Sequence, residues 1–323
     1  MSLEERIEKK VPLAKLTSFK IGGPADLFFQ VENEKDLIEI FEYIKKNKLK
    51  YFILGGGSNI IFSDEGFRGI VIKIANSKID FKENRLTIGA GKKINEVIGK
   101  LKEKSLSGLE WAYGIPATVG GLIVNNGGAF GHEIGNNVRK IKAYTIKNNK
   151  IIHLKNKECN FSYRDSLFKK NKDLVVWEID FDLEKKDEKE IEKLMNQNIK
   201  YRKEKQPIEY PSAGSFFKNI KLNNLEGEER KRIIEIVQRN LSKADFDFIN
   251  SIDAIPIGLL IDKLGLKGKK IGGAEVSTKH GNFLINTGKA KAEDVIILAS
   301  IIKQKIRQKL GIQLYEEIEY IGF

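Results

Sequence analysis

The chain has 323 residues, 41% of them hydrophobic and 31% charged, a balance that gives a globular protein a sizeable core and room for two or three domains. No apolar run reaches the length of a membrane span, and the single cysteine, Cys159, excludes an internal disulfide and a multi-cysteine metal site. The formal charge of +13 leaves two readings, a nucleic-acid binder or a lysine-rich composition spread over solvated faces, and the interleaved signs of KKDEKEIEKL and LEGEERKRI favour the second.

The N-terminal MSLEERIEKKVPL has acids among its bases and no apolar core. It does not read as a secretory signal, and with the lone cysteine it points to the cytoplasm. Residues 26–31 (DLFFQV) then predict a strand. Over 34–47 the apolar Leu37, Ile40, Phe41 and Ile44 share one helical face. YFIL at 51–54 predicts a short buried strand running into glycines. GIVIKI (69–74) and RLTIGA (85–90) predict further strands, and a helix is expected over 94–104. KIKAYTI, the turn Asn148–Asn149 and KIIHL predict a hairpin. LVVWEIDFDL (174–183) predicts a long strand, followed by a charged helix over about 187–203 that ends before Pro207. Beyond a Gly/Ser/Pro loop, helices are expected near 226–240 and over 292–309, the latter with Val295, Leu298, Ala299, Ile302 and Ile306 on one side. The terminal QLYEEIEYIGF reads as β.

Five segments carry chemical signals. In LGGGSN, Leu54 to Asn59, glycines let the backbone turn sharply and present amides, with the Ser58 hydroxyl, to phosphate oxygens. Alone, a plain tight turn explains it more often than a cofactor does, since it is neither G-x-G-x-x-G nor a Walker loop. GIPATVGGLIVNNGGAFG, Gly114 to Gly131, is too apolar for a linker. Its glycines make it a poor helix and a poor strand, so a turning backbone moulded around a large flat ligand, or a Gly-rich crossover, is expected. FSYRDSLFKK holds Tyr163 and Arg164, and on the residues alone a surface arginine paired with Asp165 or another exposed acid is the preferred reading. In YRKEKQPIEYPSAGSFFKN, Ser215 has no histidine nearby to activate it, so acyl chemistry is not expected. In EEIEYIG, period-2 alternation puts Leu314, Ile318 and Tyr320 on one face and Tyr315, Glu317 and Glu319 on the other. The three histidines have no metal-ligand spacing, and no metal is expected.

TSFKIGGPAD (17–26), LGGGSN and GIPATVGG…NNGGAFG together resemble the FAD-binding domain of the vanillyl-alcohol oxidase and p-cresol methylhydroxylase flavoproteins. With the Y-R-x-S-x-F run from Tyr163 to Phe168 and the A-G-S-F-F-K-N segment, their order is most similar to the bacterial cell-wall branch, the UDP-N-acetylenolpyruvoylglucosamine reductases. Ala117 stands where that family often has glycine, and Asn125-Asn126-Gly127 where Met-Asn-Ala is common. The likeness runs over nearly the whole chain. The short interval from Arg164 to Ser215 matches the shorter form, which lacks an inserted substrate-closing loop.

The resemblance implies an α+β fold: a two-part FAD-binding domain, 1–77 with the C-terminal strand 313–323 and then 78–207, plus a C-terminal α+β substrate-binding domain over 208–312. It implies non-covalent FAD held by Leu54, Gly55, Gly56, Gly57, Ser58 and Asn59, and by Ile115, Pro116, Thr118, Gly120, Gly121, Asn126, Gly127 and Ala129. NADPH is the implied co-substrate and a nucleotide sugar the substrate, contacted by Tyr163, Arg202, Lys205, Lys218 and Asn219. Hydride would pass from flavin N5 to C3 of the enolpyruvyl group. Arg164 and Glu317 would stabilise charge at the reacting centre, and Ser215 would protonate C2. Glu316 is the rival to Glu317 should the strand register slip by one. Another oxidase or dehydrogenase of the same superfamily is the alternative. A monomer without nucleic-acid or membrane partners is expected.

Overall fold

The structure, a computed structural model, describes residues 2–323. The chain divides into two compact units. The first comprises residues up to Leu16, Gly23–Gly57 and Gly66–Glu204, and the second Thr17–Gly22, Ser58–Glu65 and Lys205–Phe323.

The first unit is built on two sheets. In one, Glu8–Pro12 pairs antiparallel with Pro24–Val31, which runs parallel to Phe67–Ile74, itself parallel to Tyr51–Leu54. The parallel strands are joined by the helix Glu34–Asn47. Asn33 caps its first turn by accepting from the Asp36 amide, Lys48 ends it in the left-handed conformation, and Leu37, Ile40, Phe41 and Ile44 are its buried face. The other sheet is wholly antiparallel, in the order Lys150–Lys155, Val138–Thr145, Leu174–Asp182, Arg85–Gly89, Ile79–Lys82. One apolar cluster, from Phe29 and Ile72 through Ile88, Val97 and Trp111 to Ile179, serves both sheets. The strand and helix expectations for this half hold to within a few residues. The helix before Pro207 runs Glu188–Lys205.

The glycine-rich stretch departs from expectation, because Val119–Asn125 is an α-helix. Thr118 caps it by accepting from the Gly121 amide, Val119, Leu122 and Ile123 are buried, and Asn126 closes it at φ 41°. Two glycines lower its intrinsic helicity, but a cap at each end and a buried apolar face outweigh a propensity cost of about 1 kcal/mol per glycine.

In the second unit, Ser212–Ser215, Phe283–Asn286, Ala274–Val276 and Lys270–Ile271 form an antiparallel sheet. Helix Ala292–Leu310 buries Val295, Leu298, Ala299, Ile302 and Ile306 against it and its neighbours, as its periodicity predicts. Helices Gly227–Asn240, Lys243–Ser251 and Ile257–Lys263 complete the unit. The terminal segment is less regular than its alternation suggests. Only Glu319–Ile321 is strand, paired in parallel with Ile60–Phe62, and the chain bends at 317–318. Leu314 and Ile318 are buried and Tyr315 and Glu319 exposed on either side of the bend, as the alternation predicts, and only Ile321, buried next to Tyr320, departs from it.

Candidate active site

In the first unit, the two glycine segments meet backbone to backbone. A Cβ on Gly55 would stand 2.8 Å from Thr118 Oγ1, and one on Gly56 would stand 3.0 Å from Thr118 N and 3.2 Å from Ala117 Cα. Only glycine lets the turn after Tyr51–Leu54 approach residues 117–118 this closely. The Thr118 amide and hydroxyl lie at this approach, donors of a kind suited to phosphate oxygens. The residues present therefore fit the diphosphate of a dinucleotide such as FAD. The amide of Asn126 has protein partners: it donates to Glu133 Oε2 at 2.7 Å and to the Ser162 carbonyl at 2.9 Å, and accepts from Gly135 N at 3.1 Å.

Through Ser162, Asn126 ties this segment to Tyr163 and Arg164. Arg164 has φ 55°, an uncommon conformation for a residue with a side chain. It is held by a local turn in which Ser162 and Asp165 exchange backbone hydrogen bonds. Lys169 Nζ donates to the Arg164 carbonyl at 3.1 Å and to Asn125 Oδ1 at 2.8 Å, and Ser166 Oγ donates to the Val124 carbonyl at 2.7 Å. The guanidinium lies 5.2 Å from the Tyr163 ring centroid, and Nη2 donates to the Gly128 carbonyl at 2.8 Å. Arg164 is thus fastened at backbone and side chain to the segment that carries the proposed cofactor loop.

Arg202 is buried rather than displayed. Nε donates to the Tyr113 carbonyl and Nη2 to the Trp111 carbonyl, each at 3.0 Å, and the guanidinium lies 5.2 Å from the Phe130 ring centroid. Burial lowers its pKa to about 10, still fully cationic at neutral pH. It braces the turn that leads into Ile115 and Pro116. Phe130 in turn packs edge-on against Tyr201, with ring centroids 5.3 Å apart. Lys205 is exposed at the end of its helix.

In the second unit, Ser215 and Glu317 are brought onto neighbouring backbone segments. The Glu317 amide donates to the Phe216 carbonyl at 2.8 Å, the Lys218 amide donates to the Tyr315 carbonyl at 2.9 Å, and Phe217 bridges Glu316. Asn59 joins the same cluster, because its Nδ2 donates to the Glu317 carbonyl at 3.0 Å and its carbonyl accepts from Glu319 N at 3.0 Å. Asn219 Oδ1 accepts from Ile257 N at 3.1 Å. Lys303 Nζ meets Glu316 Oε1 at 2.8 Å, so the rival acid has an ion-pair partner on helix Ala292–Leu310.

That pairing yields a ranking. Glu316→Gln is expected to cost at most about 1 kcal/mol of stability, as a partly exposed ion pair does, and to leave turnover near wild type. Glu317→Gln is expected to lose most of the activity. Steady-state rates for the two variants check this, and the reverse order would assign the role to Glu316.

Neither Lys169 nor Asn282 carries a signal in the sequence. Lys169 is one of two adjacent lysines in FSYRDSLFKK, and Asn282 sits in a loop-like KHGNF run. Among the described residues no cluster of His, Cys, Asp or Glu could hold a metal, and no helix is long and apolar enough to cross a membrane.

Comparison with known proteins bears on both units. Residues 25–155 match the FAD binding domain family, and residues 206–321 match the family described as UDP-N-acetylenolpyruvoylglucosamine reductase, C-terminal domain. The UDP-N-acetylenolpyruvoylglucosamine reductase of Bacillus subtilis is 36% identical over 99% of this chain and 97% of its own length. That of Caldanaerobacter subterraneus subsp. tengcongensis is 35% identical over 99% of this chain and 95% of its own. The crystal structure of UDP-N-acetylenolpyruvylglucosamine reductase from Thermus caldophilus superposes with a TM-score of 0.75 at 29% identity, covering 98% of this chain and 99% of that one. With an FAD-binding domain followed by the reductase C-terminal domain, and with such identity over almost its full length, the chain belongs to the UDP-N-acetylenolpyruvoylglucosamine reductase family.

Proposed function

We propose that this chain reduces the enolpyruvyl ether of UDP-N-acetylenolpyruvoylglucosamine to UDP-N-acetylmuramate, with NADPH as the electron source, as a cytoplasmic monomer in peptidoglycan precursor synthesis. The observation that carries this reading is the backbone pairing of the Ser215 segment with the Glu317 segment, in the part of the chain that matches the reductase C-terminal domain. Residues 1–77 with 313–323, and 78–207, make up the FAD-binding domain in this proposal, and 208–312 the substrate domain.

Leu54, Gly55, Gly56, Gly57, Ser58 and Asn59 in the first loop, with Ile115, Pro116, Thr118, Gly120, Gly121, Asn126, Gly127 and Ala129 in the second, hold FAD. Bound there, FAD would supply the two-electron hydride chemistry that links NADPH to the enolpyruvyl group. The side chains manage charge and protons. Arg164 grips the substrate carboxylate next to the reacting double bond and remains cationic as negative charge grows there. Glu317 polarises the same group. Ser215 gives its proton to C2, which completes the saturated ether. Tyr163, Arg202, Lys205, Lys218 and Asn219 serve the nucleotide sugar. Arg202 also braces the turn before Ile115, which belongs to the cofactor loop.

The purified protein is expected to be yellow and to release FAD on acid or heat denaturation. His132, the histidine next to the second loop, is exposed and has no assigned role in holding the cofactor. The absorption spectrum before denaturation, and of the soluble fraction after it, tests this. A colourless protein that takes up no added FAD would overturn the reading, and flavin retained on the denatured chain would indicate a covalent link.

A further inference from the structure

We propose that Asn282 is a positioning residue for the protonation step, setting the register of the Ser215 segment against Glu317. The proposal rests on the function proposed above. Its basis is how the segment 215–218 is held. The ladder from Ser212–Ser215 to Phe283–Asn286 is interrupted: Ser212 pairs with Ile285 and Ser215 with Phe283, with a register shift between them and Gly214 at φ 79°. Past this bulge the ladder to Phe283–Asn286 ends at the Ser215–Phe283 pair, and Asn282 continues the contacts on that edge.

Asn282 uses backbone and side chain together. Its carbonyl accepts from Phe216 N at 2.7 Å, its Oδ1 accepts from Phe217 N at 2.9 Å, and its Nδ2 donates to the Phe217 carbonyl at 2.8 Å. The side-chain amide therefore stands in for one residue of a missing strand. The residue is 2% exposed, so water does not substitute for these bonds. Asn282 is itself anchored, since its amide donates to His280 Nδ1 at 3.2 Å. On the opposite edge of the same segment, Phe216 accepts from the Glu317 amide. Ser215 and Glu317 are thus set relative to one another through two residues, Phe216 and Phe217, whose outer edge is held by Asn282.

Aspartate at this position gives a readout that a packing role would not. A neutral carboxyl offers one acceptor and one donor, as the amide does, whereas a carboxylate only accepts and would face the Phe217 carbonyl with like polarity. Burial favours the neutral form. In Asn282→Asp, reoxidation of the NADPH-reduced protein by the enolpyruvyl nucleotide sugar should fall by about 10- to 100-fold at alkaline pH, the scale of a misplaced reacting group. It should recover towards wild type as pH is lowered, while reduction by NADPH stays at the wild-type rate throughout. His280 is the titratable neighbour, so wild type is measured at each pH and the ratio of the two proteins is the quantity read.

A ratio independent of pH, or equal slowing of both half-reactions, would overturn the role of Asn282. Should Asn282→Asp not retain flavin, Asn282→Ala carries the test, with selective slowing of reoxidation expected and equal or absent slowing overturning it. Failure of wild type to be reoxidised by the nucleotide sugar would instead refute the proposed function, so the two failures are distinguishable.

Discussion

Ser215→Ala is expected to slow reoxidation of the reduced protein by the enolpyruvyl substrate by a factor of about 10² to 10⁴, or roughly 3 to 5 kcal/mol of barrier, the usual loss when a positioned general acid is removed. Reduction by NADPH should proceed near the wild-type rate, because that half-reaction takes no proton from Ser215. The fold should tolerate the change. Ser215 is half-buried at the end of Ser212–Ser215, and what anchors the segment is the core pair Phe216 and Phe217, with ring centroids 5.1 Å apart, together with the bonds to Asn282 and Glu317. None of those groups is touched by loss of one hydroxyl. Stopped-flow absorbance at the flavin band reads the two halves separately. Equal slowing of both would make Ser215 structural, and no slowing of either would remove it from the catalytic set.

Arg164→Lys should reduce substrate-dependent reoxidation strongly although the charge is kept. The guanidinium already donates Nη2 to the Gly128 carbonyl and lies against the Tyr163 ring, contacts that fix its plane and direction. A planar fork fixed in this way can grip a carboxylate with two parallel hydrogen bonds, whereas an ammonium is a point donor on a mobile stem. Loss of one charge-assisted bond is worth about 1.5 to 3 kcal/mol, a factor on the order of 10 to 10². Because the left-handed turn at Arg164 is held by Ser162, Asp165 and Lys169 and not by the guanidinium, the lysine variant should unfold at close to the wild-type denaturant midpoint. Wild-type turnover would make Arg164 a surface residue, and a large drop in midpoint would make it a structural one.

Much of the first unit was legible because its elements declare themselves locally. The helix Glu34–Asn47 carries an apolar stripe with acids at its start and lysines at its end, and the hairpin around Asn148–Asn149 has short alternating strands on either side. Val119–Asn125 was not legible, since its glycines argue against helix while the caps and buried face that stabilise it depend on tertiary context. The ranking of Glu317 over Glu316 came from family likeness, and only the fold shows Lys303 reaching Glu316 from another helix. Arg202 is implied by the resemblance as a nucleotide-sugar contact, and only the fold shows it buried on two carbonyls. Asn282 had no signal at all. Its importance comes from a bulge in a strand pairing that no local pattern encodes.

In the proposed function, reducing equivalents from NADPH end on the enolpyruvyl group of a nucleotide sugar. Its most direct test is to reduce the flavin-loaded protein with NADPH in the absence of oxygen, add UDP-N-acetylenolpyruvoylglucosamine, and follow the flavin absorbance while assaying the sugar by mass. Prompt return of the oxidised flavin spectrum with stoichiometric formation of UDP-N-acetylmuramate is expected. A spectrum that stays reduced until air is admitted, with the nucleotide sugar unchanged, would contradict it and mark the protein as an oxidase on the same fold.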